Sequence, residues 1–266
     1  GKQLGIIGNH PDRIKAAIFH VLTNAALSEG HVYLDAEQVL LLVKSILEQS
    51  QRVEIPFDAI SQACIDMRNE GKICGEETRM YLPSLYFSEV GIASKIIQLN
   101  EKNKTSQSFS SDEIRKAIGE IEERLNVDYA PTQAQAIETA INSAIMILTG
   151  GPGTGKTTVV KGIVEVFAEL NGLSLEPSYY AKKEQAFPVV LAAPTGRAAK
   201  RLAESTGLPA MTIHRLLGFT GQGKVEETDR EIEGKLVIID EMSMVDTWLA
   251  HQLLKSLNPD VQVVLV

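Results

Sequence analysis

Residues 144–170 read AIMILTGGPGTGKTTVVKGIVEVFAEL. An apolar run of strand length, a glycine-studded turn and an apolar-periodic segment opening near Lys156 predict a buried strand, a tight loop and a helix. Gly150, Gly151, Gly153 and Gly155 let the backbone wrap so that successive N–H groups face one anion. The helix aims its positive dipole end at the same place. Gly150-Gly151-Pro152-Gly153-Thr154-Gly155-Lys156-Thr157 fits GxxxxGK[ST] in full, the pattern of a P-loop whose lysine reaches the β- and γ-phosphates of a nucleotide and whose hydroxyl joins a magnesium shell. Residues 150–158, Thr158 included, are therefore the expected nucleotide site, with ATP and Mg²⁺ as cofactors and Thr157 as a metal ligand. A glycine-rich turn without any ligand is the plainer reading, and the complete match in a strand–loop–helix setting weighs against it.

Outward from this stretch, strands and helices alternate. FPVVLAAP, KLVIIDE and VQVVLV are further apolar runs, and helical patterns fall at 132–143, 197–205 and 245–257. Continuous rather than alternating hydrophobicity suits strands covered on both faces, which predicts an α/β fold of the doubly wound type. The run 236–239 ends in Asp240-Glu241, placing two carboxylates at the carboxyl edge of the sheet, beside the phosphate loop. Asp240 is the expected magnesium acid and Glu241 the group that orients and deprotonates the attacking water, so that Lys156, Asp240 and Glu241 form the catalytic set. Gln133 lies before the helix that leads to the loop strand. Its amide offers a donor and an acceptor that suit adenine, although a surface glutamine near a helix start is common. Pro194-Thr195-Gly196-Arg197-Ala198-Ala199-Lys200-Arg201 opens a helix after a buried strand, and its amides, hydroxyl and three cations suggest a phosphate cradle for a polynucleotide. Thr212, His214 and Arg215 add further polar groups, although a lone histidine such as His214 is more often a packed or capped residue than a reactive one.

The first hundred residues differ. Ile14, Ala17, Ile18, Val21 and Leu22 recur at helical spacing. Asp35 caps a second helix with Gln38 three residues on, and Pro56 starts a third that stops at Gly71. KICGEETRMYLP (72–83) reads as two short extended runs about a polar turn, giving the outline of a winged-helix-like module. Another helix follows from about Pro83 to Asn100, and the polar stretch 101–110 is the best linker. The expected organisation is thus a helical module over 1–100, a linker over 101–110 and an α/β domain over 111–266.

Composition bounds these readings. Apolar residues at 44% and charged residues at 23% exclude disordered and low-complexity chains. Two cysteines without ligand-type company predict reduced thiols in a cytoplasmic protein. No apolar run is long enough to span a bilayer. The net charge of −8 is shared along the chain, so a nucleic-acid partner has to be met by a local patch.

Taken in order, TGGPGTGKTT, LAAPTGRAAKRL, TIHRLLG and VIIDEMSMVD resemble the RecD/TraA family of superfamily 1 DNA helicases, over roughly residues 129–266. More loosely, Gly30, His31, Tyr33 and Leu34, and the run Tyr81–Tyr86, resemble the region ahead of the motor in RecD-like helicases. The resemblance implies a P-loop, RecA-like lobe that moves 5′→3′ along single-stranded DNA at the expense of ATP, meeting duplex at a junction. It implies that Gln133 reads adenine, that Pro194, Thr195, Arg197, Thr212 and His214 lie along the DNA strand, and that 218–234 forms a strand-separating pin. The family's next motif would begin directly after Val266, followed by a second lobe with an arginine finger. The expectation is therefore that these residues alone hydrolyse ATP very slowly and unwind nothing. Two other readings stay open: a P-loop switch ATPase whose winged-helix module binds DNA or protein as a regulator, and a nucleotide-binding subunit activated by partner chains.

Overall fold

The computed structural model describes residues 9–51, 54–76, 78–103, 108–151, 153–219 and 231–266. They form two compact units, 1–91 and 92–266.

In the first unit, α1 (Pro11–Asn24) buries Ile14, Ile18, Val21 and Leu22, and a single π turn carries it to Gly30, whose φ of 75° reverses the chain. β1 (Tyr33–Asp35), α2 (Ala36–Gln51), α3 (Phe57–Asn69) and β2 (Arg79–Tyr81) follow. The apolar stripes of the three helices meet around Ile18, Val39, Val43, Ile60 and Met67. The extended run at 79–81 pairs antiparallel with Tyr33–Asp35, while its local neighbour contributes only the bridge between Cys74 and Tyr81. The expected 72–83 hairpin is therefore mostly a long-range pairing, with β1 hidden beneath the cap signal of Asp35. Helix α4 (Pro83–Asn103) crosses the division between the units, so residues 92–100, expected in the first module, and 101–103, expected in the linker, belong to the second.

The second unit continues with α5 (Ser111–Leu125), α6 (Pro131–Ile141), β3 (Ile145–Ile147), α7 (Lys156–Leu170), α8 (Pro177–Ala181), β4 (Val189–Ala193), α9 (Gly196–Thr206), β5 (Ala210–Thr212), α10 (Ile213–Leu216), β6 (Leu236–Ile239), α11 (Thr247–Lys255) and β7 (Gln262–Leu265). Ser110 and Glu113 form a reciprocal capping box on α5, and those hydrogen bonds hold the Glu113 carboxyl below the usual carboxylate range. The strands make one five-stranded sheet in the order β3-β7-β6-β4-β5, parallel throughout. This is the α/β parallel sheet with flanking helices that the pattern predicts and that the resemblance implies as a RecA-like lobe. β6 shows why its sequence is apolar without a break. Leu236 and Ile238 pack into the cluster that holds α5, α6 and α7, whereas Val237 and Ile239 pack into the cluster under α11. Gly162 gives α7 its close approach to α6, because a Cβ there would lie 2.7 Å from both Tyr129 Oη and Ile137 Cδ1 and those side chains would have to shift. Three short elements, α8, β5 and α10, were not expected.

Parallel strands end on one side. The glycine loop after β3, Pro194 after β4, Ile213 after β5, Asp240 after β6 and Val266 after β7 all stand on the carboxyl edge, where open α/β sheets bind ligands. Asp240 does not follow the strand next to the loop strand: β7 lies between them, with Leu265 in register with Ile147 on one side and Ile239 on the other. Two strand spacings, about 10 Å in all, separate the loop from the acids. That gap has room for phosphate oxygens and a hydrated cation, which an adjacent strand would not leave.

Candidate functional site

Four of the expected groups, Lys156, Thr157, Asp240 and Glu241, line one cavity of about 420 Å³ between α7, α9 and the ends of β6 and β7. On the α7 side, Gly155 is the helix N-cap at φ 80°, with no side-chain cap. The Val159 N–H closes the first turn onto the Gly155 carbonyl at 3.0 Å, so the amides ahead of it stay at the open helix end. Lys156 Nζ donates to the carbonyls of Gly150 (2.5 Å) and Gly151 (3.2 Å), and Thr154 Oγ1 donates to Gly151 O (2.9 Å), bracing the loop from within. Thr158 is exposed on the same turn. Pro152 lies outside the described residues.

Gln133 bonds on both sides of its amide. Oε1 accepts from the Ala130 N–H at 3.0 Å, and Nε2 donates to the Thr154 carbonyl at 3.3 Å. A Cβ on Gly155 would fall 2.5 Å from that Nε2. Gln133 thus stands against the glycine loop and ties the start of α6 to it.

Opposite, the backbone around the acids is pinned. The Asp240 N–H donates to Ala192 O (2.9 Å), Asp240 Oδ1 accepts from the Glu241 N–H (2.9 Å), and the Met242 N–H donates to Val266 O (2.8 Å). Glu241 takes a left-handed conformation, φ 56° and ψ 40°, uncommon for a residue with a Cβ and a recurrent mark of functional positions. The hydroxyl of Thr157 and the carboxylate of Asp240 suit Mg²⁺, which takes one or two protein oxygens and completes its shell with phosphates and water. Among the described residues no cluster of three His, Cys, Asp or Glu could cage a metal without a nucleotide.

The polynucleotide candidates sit further along the same edge. Thr195 caps α9, its Oγ1 accepting from the Ala198 N–H at 3.2 Å, and Thr212 caps α10 through the Arg215 N–H at 3.2 Å. Pro194 is half-buried and Arg197 is exposed, with no ion-pair partner among the described residues. His214 is exposed and stands edge-on to Phe219 at 6.0 Å, which in turn stacks on Trp248 at 5.7 Å. Several groups of the expected cradle have partners within the chain. Thr195 uses one of the α9 amides, Lys200 pairs with Glu204 at 3.8 Å, and Arg201 turns to Glu241 at 2.6 Å. In sequence Arg201 stands as one of the three cations of that cradle. Its contact joins residues 40 apart, which no local pattern announces. The proposed pin falls largely in 220–230, outside the described residues.

A family model described as an AAA domain matches residues 133–266. Among proteins, an "ATP-dependent RecD2 DNA helicase" of Deinococcus radiodurans is 30% identical over 96% of this chain and 34% of its own length. A "RecBCD enzyme subunit RecD" of Mycolicibacterium smegmatis is 35% identical over 50% of the chain and 26% of its own length. The protein of the same description from Haemophilus influenzae is 29% identical over 70% of the chain and 31% of its own length. The chain spans about a third or less of the length of these relatives.

Proposed function

The chain belongs to the AAA-domain family as a RecD-like member of helicase superfamily 1, and on that premise we propose that the complete protein hydrolyses ATP with Mg²⁺ to move 5′→3′ along single-stranded DNA. The observation that carries the nucleotide half is the single cavity holding Lys156, Thr157, Asp240 and Glu241 between an uncapped helix start and a pinned acid pair. The open amides of α7 take up triphosphate oxygens. Lys156 exchanges its two carbonyl partners for phosphate oxygens, because the negative charge on those oxygens adds an ionic attraction that a neutral carbonyl does not offer its ammonium. Thr157 and Asp240 hold the Mg²⁺, which when bound neutralises charge on the phosphate oxygens. Glu241 accepts a proton from the attacking water as its oxygen bonds to the γ-phosphorus and ADP leaves. Gln133, against the loop, reads the adenine edge.

The DNA half rests on the names of the relatives together with placement. Pro194, Thr195, Arg197, Thr212 and His214 lie along the same carboxyl edge as the nucleotide cavity, so a strand laid across them shares elements with it. Motion at the phosphates is then felt at the track. The bulk charge of −8 restricts the grip to a few placed contacts, as suits a motor that releases its track each cycle. No helix among the described residues is long and apolar enough to cross a membrane, and the cytoplasm is the proposed compartment. The test is ATP turnover by the complete protein with and without single-stranded DNA, and unwinding of duplexes with a 5′ or a 3′ overhang. DNA-stimulated hydrolysis, abolished by Lys156→Ala, with unwinding only from the 5′ overhang, is expected. Hydrolysis indifferent to DNA would favour the switch ATPase instead, and unwinding from the 3′ overhang would overturn the polarity.

A further inference from the structure

Arg201 has no part in the roles above, yet it reaches into the same cavity as the acids. It stands on α9 one turn beyond Arg197, and its Nη2 donates to Glu241 Oε1 at 2.6 Å. The backbone of Glu241 is held on both sides, by Asp240 Oδ1 on its own N–H and by the Val266 carbonyl on the next. Its side chain is held differently. Among the described residues, Arg201 is the only hydrogen-bond or ion-pair partner of the Glu241 carboxylate. A glutamate in a fixed backbone still has three free torsions, and a second cation, Lys156, lines the same cavity. Without Arg201 the carboxylate would divide its time among rotamers, some of them directed at that ammonium.

We infer that Arg201 is a positioning residue for Glu241: its guanidinium, carried on α9, selects the rotamer in which the carboxylate faces the attacking water. The inference rests on Glu241 being the base, as proposed above. The pair is partly exposed, with 60% of the Arg201 side chain and 33% of the Glu241 side chain accessible. An exposed ion pair contributes little to stability, so its loss shows in turnover and not in folding. Misplacing a reacting group by about 1 Å costs about 10²-fold in rate, which sets the scale of the effect.

The test is a double-mutant cycle on the complete protein with saturating single-stranded DNA, following kcat, the KM for ATP and the melting temperature. Arg201→Ala is expected to lower kcat by about 10- to 100-fold, leaving the KM within roughly twofold and the melting temperature unchanged. Glu241→Gln is expected to lower kcat at least as far. The double variant should be no slower than Glu241→Gln alone, because Arg201 acts only through that carboxylate. Wild-type kcat in Arg201→Ala beside a slow Glu241→Gln would overturn the inference and spare the assignment of the base. A double variant about tenfold or more slower than Glu241→Gln would also overturn it, showing that Arg201 acts on the nucleotide directly. Wild-type kcat in Glu241→Gln would overturn the base and the inference together.

Discussion

Two helices begin at the same sheet edge in opposite ways. α7 starts at Gly155, left-handed at φ 80° and with no side chain to satisfy its amides. α9 starts at Thr195, extended at φ −122°, with the threonine oxygen taking the Ala198 amide. A bare start keeps its donors for an outside anion, whereas a capped start uses one on itself. The first is therefore suited by its backbone to a phosphate. The second needs side chains to grip an anion, and of the three cations after Pro194 Lys200 and Arg201 are paired with glutamates, while Arg197 has no ion-pair partner among the described residues.

Four substitutions break or sharpen this contrast. The largest effect is expected from Lys156→Ala, which removes the mobile charge at the bare start: turnover by the complete protein should fall by at least about 10²–10³-fold, measured under saturating ATP. Gly155→Ala comes next. Its Cβ would be both left-handed and 2.5 Å from Gln133 Nε2, and about 1–2 kcal/mol of conformational cost should weaken nucleotide binding about tenfold, measured by titration. Arg197→Ala at the capped start should weaken single-stranded DNA binding evenly across sequences and reduce the salt slope by about 1, with nucleotide affinity unchanged. An unaltered slope would remove Arg197 from the track. The smallest effect belongs to Thr195→Ala, where losing the cap costs about 1 kcal/mol and should lower the melting temperature by about 2–4 °C without touching nucleotide affinity.

The same contrast marks what could be read from residues alone. GGPGTGKTT declares its start because glycines at fixed offsets have a single local purpose, and α7 begins at Lys156 as predicted. The core strands β4, β6 and β7 were equally open to reading, since burial on both faces leaves an unbroken apolar run. β5 was not, because three half-buried residues at the sheet edge leave no such run. Thr195 and Thr212 are standard cap residues, and the hydroxyl of each accepts from an amide of the helix it opens. The place of β7 between the loop strand and the acid strand, and the turn of Arg201 toward Glu241, are products of tertiary assembly. A chain read in order lists three cations after Pro194 without showing that only one of them, Arg197, is left without an ion-pair partner among the described residues.

The bare start of α7 as the seat of the triphosphate is tested most directly by calorimetric titration of the complete protein with a non-hydrolysable ATP analogue and Mg²⁺. Wild type and Thr195→Ala should bind alike, and Lys156→Ala should bind at least about tenfold more weakly, a loss of about 1.4 kcal/mol. Equal affinity in Lys156→Ala, or affinity lost in Thr195→Ala instead, would contradict the account.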